Sequence, residues 1–334
     1  MYQALYRKWR PMSFDDVVSQ PHITTTLKNQ IKSGKTAHAY LFTGSRGTGK
    51  TTCARIFAKA INCLDPHDGE PCLECEICKD ADNGTLSDII EIDAASNSKV
   101  DDIRELREGV VYTPERCKYK VYIIDEVHML SAGAFNALLK TMEEPPPHVK
   151  FILATTEIHK VPATIVSRCQ HFDFHRIRNE DIISRLMYIA SQEGFTLHED
   201  AAGMIARLSD GGMRDALSLL DQCVAYENDI TLDVVSSASG IAGRDYLFDI
   251  LEKIAEKDAA GALRVVDKLY DMSKDLKVLA GELLAQMRNV MIIKTIDNNK
   301  DLITCLPDEY ERLKALAERM KLDEILGDLS LIHI

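Results

Sequence analysis

Four short runs of β-branched and aromatic residues alternate with helix-like stretches in the first half of the chain. This alternation is typical of a parallel sheet flanked by helices. Three of the runs are apolar at nearly every position, which indicates strands that are covered on both faces. The predicted strands are Ala39 to Thr43, Asp88 to Ile92, Val121 to Asp125 and Phe151 to Thr155.

The strand signals end near His175, and helical spacing takes over with breaks at Gly194 and Gly211. Glycine at such positions ends a helix more easily than it continues one. We therefore expect an α/β domain over residues 1–175 and a small helical domain over residues 176–240.

A third helical domain is predicted over residues 241–328, where apolar residues such as Leu276, Leu279 and Leu283 repeat at intervals of three and four. These stripes are expected to form a core. The final residues 329–334 break the charged helical pattern and match what a common transposon-end sequencing adapter would encode in frame. We therefore expect a non-native tail there and a third domain that is truncated.

The length and net charge of the chain exclude some classes of protein. The chain has 334 residues, of which 46% are hydrophobic, enough for more than one core. A formal net charge of -12 excludes a uniformly basic nucleic-acid coat, so DNA contacts must use local patches or an assembled surface. Because the chain has neither a membrane-length apolar run nor a signal-peptide core, we expect a cytoplasmic protein without membrane association.

A glycine-rich loop follows the first predicted strand and precedes a helical pattern that starts at Thr52. It fits G-x-x-x-x-G-K-[ST] in the strand, loop and helix order that this motif requires. In such loops backbone N–H groups surround phosphates, the lysine reaches the β- and γ-phosphates, and the threonine hydroxyl ligates Mg²⁺. The predicted nucleotide-binding residues are Gly44, Ser45, Arg46, Gly47, Thr48, Gly49, Lys50, Thr51 and Thr52.

Two acids, Asp125 and Glu126, end the third predicted strand. Acids at a strand end are often only solvated loop residues, but an upstream phosphate loop favours the second half of a nucleotide site. Asp125 is expected to hold Mg²⁺ together with Thr51, and Glu126 is expected to polarise the attacking water. The two motifs together predict hydrolysis of a nucleoside triphosphate.

Four of the nine cysteines are spaced C-x8-C-x2-C-x2-C in a loop-like stretch. Four thiolates at short spacings suit a closed, structural zinc site, with an iron–sulfur cluster or unligated thiols as the alternatives. The predicted zinc ligands are Cys63, Cys72, Cys75 and Cys78. The other cysteines show no ligand spacing and are expected to be small buried residues: Cys53, Cys117, Cys169, Cys223 and Cys305.

Two further motifs, Ser167-Arg168-Cys169 and Gly212-Met213-Arg214-Asp215, follow the phosphate loop and the acidic strand end. In this order the motifs resemble the AAA+ clamp-loader family. The four-cysteine insertion, Arg7-Lys8-Trp9-Arg10-Pro11 and Asp125-Glu126-Val127-His128-Met129-Leu130 are similar to the bacterial gamma/tau subunits within that family. The resemblance covers about residues 1 to 328.

The resemblance implies an α/β AAA+ domain with a zinc-module insertion, followed by helical lid and collar domains. Arg168 then corresponds to an arginine finger that reaches a neighbouring subunit's ATP site, with a helix-terminal salt bridge as the alternative. Thr156 corresponds to the first sensor of the γ-phosphate, although Thr155 is also possible. Arg214 corresponds to the second sensor, on the lid.

The resemblance also places Tyr6 to Pro11, with Val17 and Val18, on the adenine side of the nucleotide, although Trp9 could instead pack at a domain edge. The implied cofactors are ATP, Mg²⁺ and Zn²⁺. The implied partners are other gamma/tau copies, the delta and delta-prime subunits, the β sliding clamp and primer-template DNA. The implied function is to load that clamp onto primed DNA with ATP.

The sequence leaves two alternatives open. A different AAA+ motor, for branch migration or recombination, would share the phosphate loop. A non-catalytic scaffold of the delta-prime type is disfavoured because Lys50 and Asp125-Glu126 are intact. Weak candidates for DNA contact are Lys99, Arg104 and Arg107.

Overall fold

The computed structural model divides into two units, Met1–Asp229 and Ile230–Ile334. It describes residues 3–96, 106, 108–239, 245–272, 275–297, 299, 302–303, 305 and 307–333. The proposed DNA-contact residues Lys99, Arg104 and Arg107 lie outside the described residues.

A parallel sheet forms the centre of the first unit. Its strands are β1 (Ala39–Gly44), β2 (Ile89–Asp93), β3 (Lys120–Asp125), β4 (Val149–Thr155) and β5 (Gln170–Phe174). They lie in the order β2-β3-β4-β1-β5, and all neighbours pair in parallel. The predicted parallel sheet flanked by helices is thereby confirmed, and each of the four predicted strands overlaps an observed one.

The helices of the first unit alternate with these strands and then continue without them. They are α1 (Leu5–Lys8), α2 (Pro21–Ser33), α3 (Lys50–Asn62), α4 (Glu76–Asn83), α5 (Ala132–Glu143), α6 (Ala163–Val166), α7 (Asn179–Glu193), α8 (Glu199–Leu208) and α9 (Met213–Tyr226). Short 3₁₀ helices span Val127–Met129 and Ile158–Lys160. The two-residue strands are β6 (Thr196–Leu197) and β7 (Asp229–Ile230).

The sheet is buried on both faces. Because successive strand residues point to opposite sides, neighbouring residues of one strand belong to two different cores. Tyr40 and Phe42 of β1 pack in a core with residues of α2 and α3. Ala39 and Leu41 pack in a second core with residues of α5. Helices therefore pack on both faces of the sheet, with one core on each face. The carboxyl ends of β1, β3 and β4 lie at the same edge of the sheet, because the strands are parallel.

Strand β5 was not among the predicted strands. It pairs with β1 at one end of the sheet order, with Gly44 opposite Phe174. Only Phe172 and Phe174 of this strand are buried, while its other residues, Gln170, His171 and Asp173, are polar. This alternation of polar and apolar residues is typical of a strand covered on one face, so the continuous apolar runs used for the other strands could not reveal it.

The residues after β5 form helices whose apolar sides face one another. Ile182 and Leu186 of α7, Ile205 of α8, and Leu217 and Leu220 of α9 are all buried. Helix α7 ends at Gly194 in the left-handed conformation, with φ 81°. The predicted succession of an α/β domain and a helical segment is confirmed.

The second unit is helical in its described residues. Its helices are α10 (Leu232–Ala238), α11 (Asp245–Ala255), α12 (Ala259–Asp271), α13 (Leu276–Thr295), α14 (Pro307–Arg319) and α15 (Leu322–His333). Phe248 and Leu251 of α11 pack in one core with Met287 of α13, while Leu247 packs in another with Leu279. The apolar stripes predicted from residue spacing therefore form core, as expected.

Candidate nucleotide site and metal centre

The phosphate loop connects the end of β1 to the first residue of α3. Gly44, Gly47 and Gly49 have φ values of 134°, 77° and 105°, a backbone region that side chains disfavour. A Cβ atom on Gly47 would lie 3.0 Å from the Cα of Gly212, which precedes α9. The loop is therefore packed against the start of a later helix, where only glycine fits.

Lys50 is buried at the centre of this loop. Its Nζ atom donates hydrogen bonds to the carbonyl oxygens of Gly44 at 2.8 Å and Ser45 at 2.7 Å. Burial lowers the pKa of the Lys50 ammonium, whereas the charges of Glu126 and Asp125 act to raise it. The loop thus curls around a lysine ammonium that faces two carboxylates, an arrangement that suits an anionic phosphate and its cation.

Thr51 and Asp125 bring two oxygen ligands together. The Thr51 hydroxyl donates to Oδ2 of Asp125 at 2.8 Å, and the backbone N–H of Glu126 donates to the other carboxylate oxygen at 3.0 Å. Hydroxyl and carboxylate oxygens are the ligands that Mg²⁺ prefers, usually beside phosphate oxygens and water. The two side chains that the sequence predicts to hold Mg²⁺ are therefore adjacent.

Glu126 is the first residue after β3, in the left-handed conformation with φ 47°. Its Oε2 atom accepts hydrogen bonds from the backbone N–H of Thr156 at 3.2 Å and from the Thr156 hydroxyl at 3.0 Å. Nδ1 of His128 lies 3.4 Å from the same oxygen. The carboxylate is thus oriented by the residue that follows β4.

Thr155, the last residue of β4, and Thr156, which follows it, differ in what they contact. Thr155 is fully buried; its hydroxyl lies 3.0 Å from Nδ1 of His128 and accepts from the backbone N–H of Glu157 at 3.0 Å. Thr156 contacts Glu126 directly. Of the two candidates that the sequence leaves open, Thr156 is the one whose hydroxyl contacts the Glu126 carboxylate.

The N-terminal segment borders the phosphate loop through Arg10. Its Nε atom donates to the hydroxyl of Thr52 at 3.1 Å. Burial, and secondarily the charge of Arg55, lowers the pKa of Arg10 to about 10. The family resemblance placed Arg10 on the adenine side of the nucleotide, but its contact with Thr52 and the position of His128 beside Glu126 were not predicted. Contacts between separate segments leave no periodic signal in the sequence.

Trp9 packs against α7. Its Nε1 atom donates to Oε1 of Glu193 at 2.6 Å, and its ring meets Tyr188 edge to face at 5.8 Å. Lys8 pairs with the same Glu193 at 2.7 Å. These contacts fit the expectation that Trp9 packs at a domain edge.

Arg214 lies in the first turn of α9. The backbone N–H of Met213 donates to the carbonyl of Gly47 at 3.0 Å, so this turn touches the phosphate loop. The Arg214 guanidinium carbon lies 5.2 Å above the ring centroid of Tyr6. The helix that carries the proposed second sensor is therefore anchored directly to the loop.

Arg168 follows α6 and is partly exposed. Its guanidinium donates to the carbonyl of Thr164 at 2.8 Å and pairs with Glu143 at 2.8 Å. In the described part of the chain, Arg168 makes no hydrogen bond to a residue of the phosphate loop. It is not brought together with the other predicted site residues.

The four predicted metal ligands converge. Their Sγ atoms all lie within 4.8 Å of one another. The pairs Cys63–Cys75 and Cys72–Cys78 are 3.9 Å and 4.0 Å apart, close to the ~3.8 Å that tetrahedral Zn–S bonds of ~2.3 Å impose. The donor set therefore fits zinc.

Backbone N–H groups around this cluster favour thiolates. The N–H of Cys72 donates to Sγ of Cys63, and the N–H of Cys75 donates to Sγ of Cys72, each at 3.3 Å. Burial opposes ionisation of Cys75, but donors from Leu64 and Cys78 outweigh it and hold its pKa at about 6. Burial instead raises the pKa of the Cys63 and Cys78 thiols, so the pKa is lowered at Cys75 and not at those two ligands. The thiolate is the form of cysteine that binds a metal.

The remaining cysteines lie apart from this cluster. Cys53 and Cys223 are fully buried, whereas Cys117, Cys169 and Cys305 are half-buried. Burial raises the pKa of Cys53, Cys117 and Cys169 to about 12.

Three family descriptions cover most of the chain. Residues 19–178 match "DNA polymerase III, delta subunit". Residues 181–229 match "DNA polymerase III clamp loader subunit, ATPase lid domain". Residues 230–326 match "DNA polymerase III subunits gamma and tau domain III". The match to domain III begins where the second unit begins.

Relatives of known name extend over the same residues. The chain is 47% identical to DNA polymerase III subunit tau of Bacillus subtilis over 98% of its own length and 56% of the relative's. It is 40% identical to DNA polymerase III subunit gamma of Buchnera aphidicola subsp. Schizaphis graminum over 95% of its length and 87% of the relative's. The chain belongs to the gamma/tau family of DNA polymerase III subunits. The resemblance seen in its motifs is thereby confirmed.

The chain spans about half the length of the tau relatives that it matches, as with the 46% of the Escherichia coli tau subunit. Among solved structures, Thermotoga maritima RuvB, a Holliday junction branch migration motor, superposes with a TM-score of 0.51 at 20% identity. The match covers 74% of this chain and 80% of that one. At this identity the likeness confirms the AAA+ fold and says nothing of function. No helix in the described residues is long and apolar enough to cross a membrane.

Proposed function

We propose that the chain binds and hydrolyses MgATP as the motor subunit of a clamp loader, and so helps to place the β sliding clamp on primed DNA. The main support for the proposal is that four side chains lie close together at one edge of the sheet: Lys50, Thr51, Asp125 and Glu126. The family membership supports the clamp-loader context.

The side chains divide the chemistry. The loop N–H groups and Lys50 hold the phosphates. Thr51 and Asp125 would hold Mg²⁺, which when bound would offset charge on the transferring phosphoryl group. Glu126, oriented by Thr156, accepts a proton from the attacking water. Thr156, just after β4, and Arg214, in the first turn of α9, act as sensors that contact the γ-phosphate. Residues Gly44 to Thr52 bind the nucleotide.

We propose that Arg168 completes a site on a neighbouring copy. Its contacts with Glu143 and Thr164, away from the phosphate loop of its own chain, support this role. A guanidinium added across a subunit boundary stabilises charge in the transition state. The assembly would contain other gamma/tau copies together with delta and delta-prime, acting on the β clamp and primer-template DNA.

The domain roles follow from this proposal. Residues 1–175 form the ATPase core, the helices α7 to α9 that follow form the lid, and the second unit, from Ile230 onward, forms the collar that joins subunits. Cys63, Cys72, Cys75 and Cys78 would hold zinc, and such a site would help to order the inserted module; comparable small sites contribute ~10 kcal/mol to folding. The protein would act in the cytoplasm, with the replisome on DNA.

The test is ATP turnover by the chain mixed with delta, delta-prime, β clamp and primed DNA. We expect turnover that clamp and DNA together stimulate, and that Lys50→Ala abolishes. Turnover indifferent to both clamp and DNA would overturn the clamp-loading role and favour another AAA+ motor. Nucleotide binding without any turnover in the complete mixture would instead favour a scaffold.

A further inference from the structure

A tight turn at residues 67–70 lies inside the cysteine module, between the ligands Cys63 and Cys72. The backbone N–H of His67 donates to the carbonyl of Glu70 at 3.1 Å, and the N–H of Glu70 donates back at 2.8 Å. The N–H of Cys72 bonds to Sγ of Cys63. The two metal ligands that flank the turn in the sequence are therefore bonded to each other.

The turn packs closely on α2. Gly69 has a φ of 81°, and a Cβ atom built there would lie 2.5 Å from the carbonyl oxygen of Lys28. Backbone thus meets backbone with no room for a side chain between them. This close approach places Glu70, the next residue, beside the N-terminal segment.

The Glu70 carboxylate holds that segment by its backbone. Oε2 accepts from the N–H of Phe14 at 2.8 Å, and Oε1 accepts from the N–H of Asp15 at 3.1 Å. Lys28 pairs with Glu70 at 2.9 Å and with Asp15 at 2.7 Å. The Glu70 side chain is only 14% exposed, so its charge-assisted bonds are shielded from water.

The segment held by Glu70 borders the nucleotide site. Phe14 is buried in the core on the α2 and α3 side of the sheet, and its carbonyl accepts from the N–H of Val17 at 3.2 Å. Val17 lies 4.0 Å from a Cβ atom built on Gly49 of the phosphate loop. Nearer the N-terminus, Arg10 bonds to Thr52 of α3.

A second connection between module and site exists, because α3 runs from Lys50 to Asn62 and Cys63 follows it directly. The end of α3 is fixed to the sheet independently of the cysteines, however. The Asn62 side chain donates to the carbonyl of Tyr119 at 3.0 Å and accepts from its N–H at 2.8 Å. The position of α3 is therefore also fixed by contacts that do not involve the module.

We propose that Glu70 is a positioning residue for nucleotide binding. When the cysteines hold zinc, the turn at residues 67–70 is ordered and fixes the position of the Glu70 carboxylate. Glu70 in turn holds the N-terminal segment in place against the phosphate loop. The metal site and the nucleotide site are then coupled energetically through one carboxylate. The inference rests on the proposed nucleotide binding at Lys50.

The test measures the affinity of the full chain for a slowly hydrolysed MgATP analogue, in wild type and Glu70→Gln, each with zinc and after removal of zinc by a chelator. Glutamine offers one acceptor oxygen where the carboxylate offers two, so one backbone N–H loses its partner. We expect zinc-loaded Glu70→Gln to bind the analogue roughly tenfold more weakly, while its zinc content stays at the wild-type value. Zinc removal should weaken wild type by a similar factor and add little in Glu70→Gln.

Glu74→Gln is the matched control, because Glu74 is an exposed carboxylate in the same module. It should leave the affinity unchanged. In turnover assays, Glu70→Gln should raise KM for ATP and leave kcat near the wild-type value, since the residue orders the site without touching the reacting atoms.

An unchanged affinity in Glu70→Gln would overturn the inference. It would also be overturned if the substitution and zinc removal each weakened binding independently, so that the combined loss of affinity equalled the product of the two separate losses. If zinc-free chain unfolds, the zinc-loaded variants decide the matter alone, with Glu70→Ala expected to bind more weakly still. Failure of zinc-loaded wild type to bind the analogue is a different result, and it would count against the proposed function itself.

Discussion

Glu126 receives hydrogen bonds from two donors of Thr156 and lies beside His128, so its orientation depends on the register of two neighbouring strands. Glu126→Gln keeps the shape of the side chain and removes its ability to accept a proton from water. We expect ATP turnover to fall by about 100-fold or more, with little change in nucleotide affinity. Turnover and equilibrium binding of a labelled nucleotide measure the two effects separately.

Glu157→Gln is the control, because Glu157 approaches the same His128 from its other ring nitrogen, at 3.4 Å. Equal losses of turnover in the two variants would contradict the assignment of Glu126 as the proton acceptor.

Asp88 is a buried carboxylate that accepts from the backbone N–H groups of Glu115, Arg116 and Cys117 at 2.8 to 2.9 Å. Burial opposes its ionisation, but these donors outweigh burial and hold the pKa of Asp88 below its ordinary value. Its contribution to stability is therefore present above the unfolded-state pKa of about 3.9 and is lost as the pH falls through the lower, folded-state pKa.

Asp88→Asn should accordingly lower the free energy of unfolding by about 2 kcal/mol at pH 7. The difference from wild type should narrow below about pH 4, where the wild-type carboxylate begins to take up a proton in the unfolded state. Urea unfolding at several pH values measures this difference. A gap that stays constant down to the acid limit of folding would show that the charge of Asp88 is not its source.

At the scale of elements, Gly44 joins β1 to the phosphate loop while pairing with Phe174 of β5. It has a φ of 134°, and a Cβ atom there would lie 2.3 Å from the Phe174 carbonyl oxygen. Gly44→Ala should therefore lower the free energy of unfolding by at least about 3 kcal/mol, through backbone strain and overpacking together. Chemical denaturation measures this loss.

The comparison for Gly44→Ala is Gly34→Ala, at the end of α2. Gly34 also has a positive φ, 67°, but a Cβ atom there would meet open space. It should cost only about 1 kcal/mol. Equal losses at the two positions would mean that contact with β5 is not what Gly44 protects.

Strands and helices could be predicted where the pattern of apolar residues along the sequence reflects which residues are buried. The central strands β1, β3 and β4 are apolar at successive positions because helices cover both faces, and the four cysteines are close in sequence because a metal site needs short loops. Strand β5 escaped prediction because only alternate residues are buried.

The finer geometry of the site was not predictable in the same way. The contact of Glu126 with Thr156 depends on β3 and β4 being neighbours with Ile124 opposite Leu153. Likewise, the contact of Glu70 with Phe14 joins residues that no periodicity relates. Such contacts follow from strand order and close packing, which single-sequence patterns do not encode.

At the scale of the whole molecule, the question is whether a site is complete within one chain. Arg168 is held by an ion pair with Glu143 that is partly exposed, and such a pair contributes no more than about 1 kcal/mol. Its side chain can therefore leave that partner at small cost. If it does so to reach a neighbouring copy, catalytic groups from two chains must combine in each working site.

This sharing can be tested by mixing two defective chains with delta, delta-prime, clamp and primed DNA. Arg168→Ala lacks the finger but keeps its own Glu126, and Glu126→Gln lacks the proton acceptor but keeps its finger. Each alone should lose turnover, the former by about 1,000-fold or more. In a random mixture about one interface in four joins an intact Glu126 to an intact Arg168, so turnover should recover to a comparable fraction of wild type.

The matched control mixes Lys50→Ala with Glu126→Gln. Both substitutions damage the same side of each interface, so no pairing of these chains restores a complete site and turnover should stay low. Light scattering should give the same mass for both mixtures, which ensures that differences in turnover reflect the sites and not assembly. Recovery that is absent from the Arg168→Ala mixture, with assembly intact, would mean that Arg168 acts within its own chain, where Glu143 and not a neighbour's phosphate is its partner.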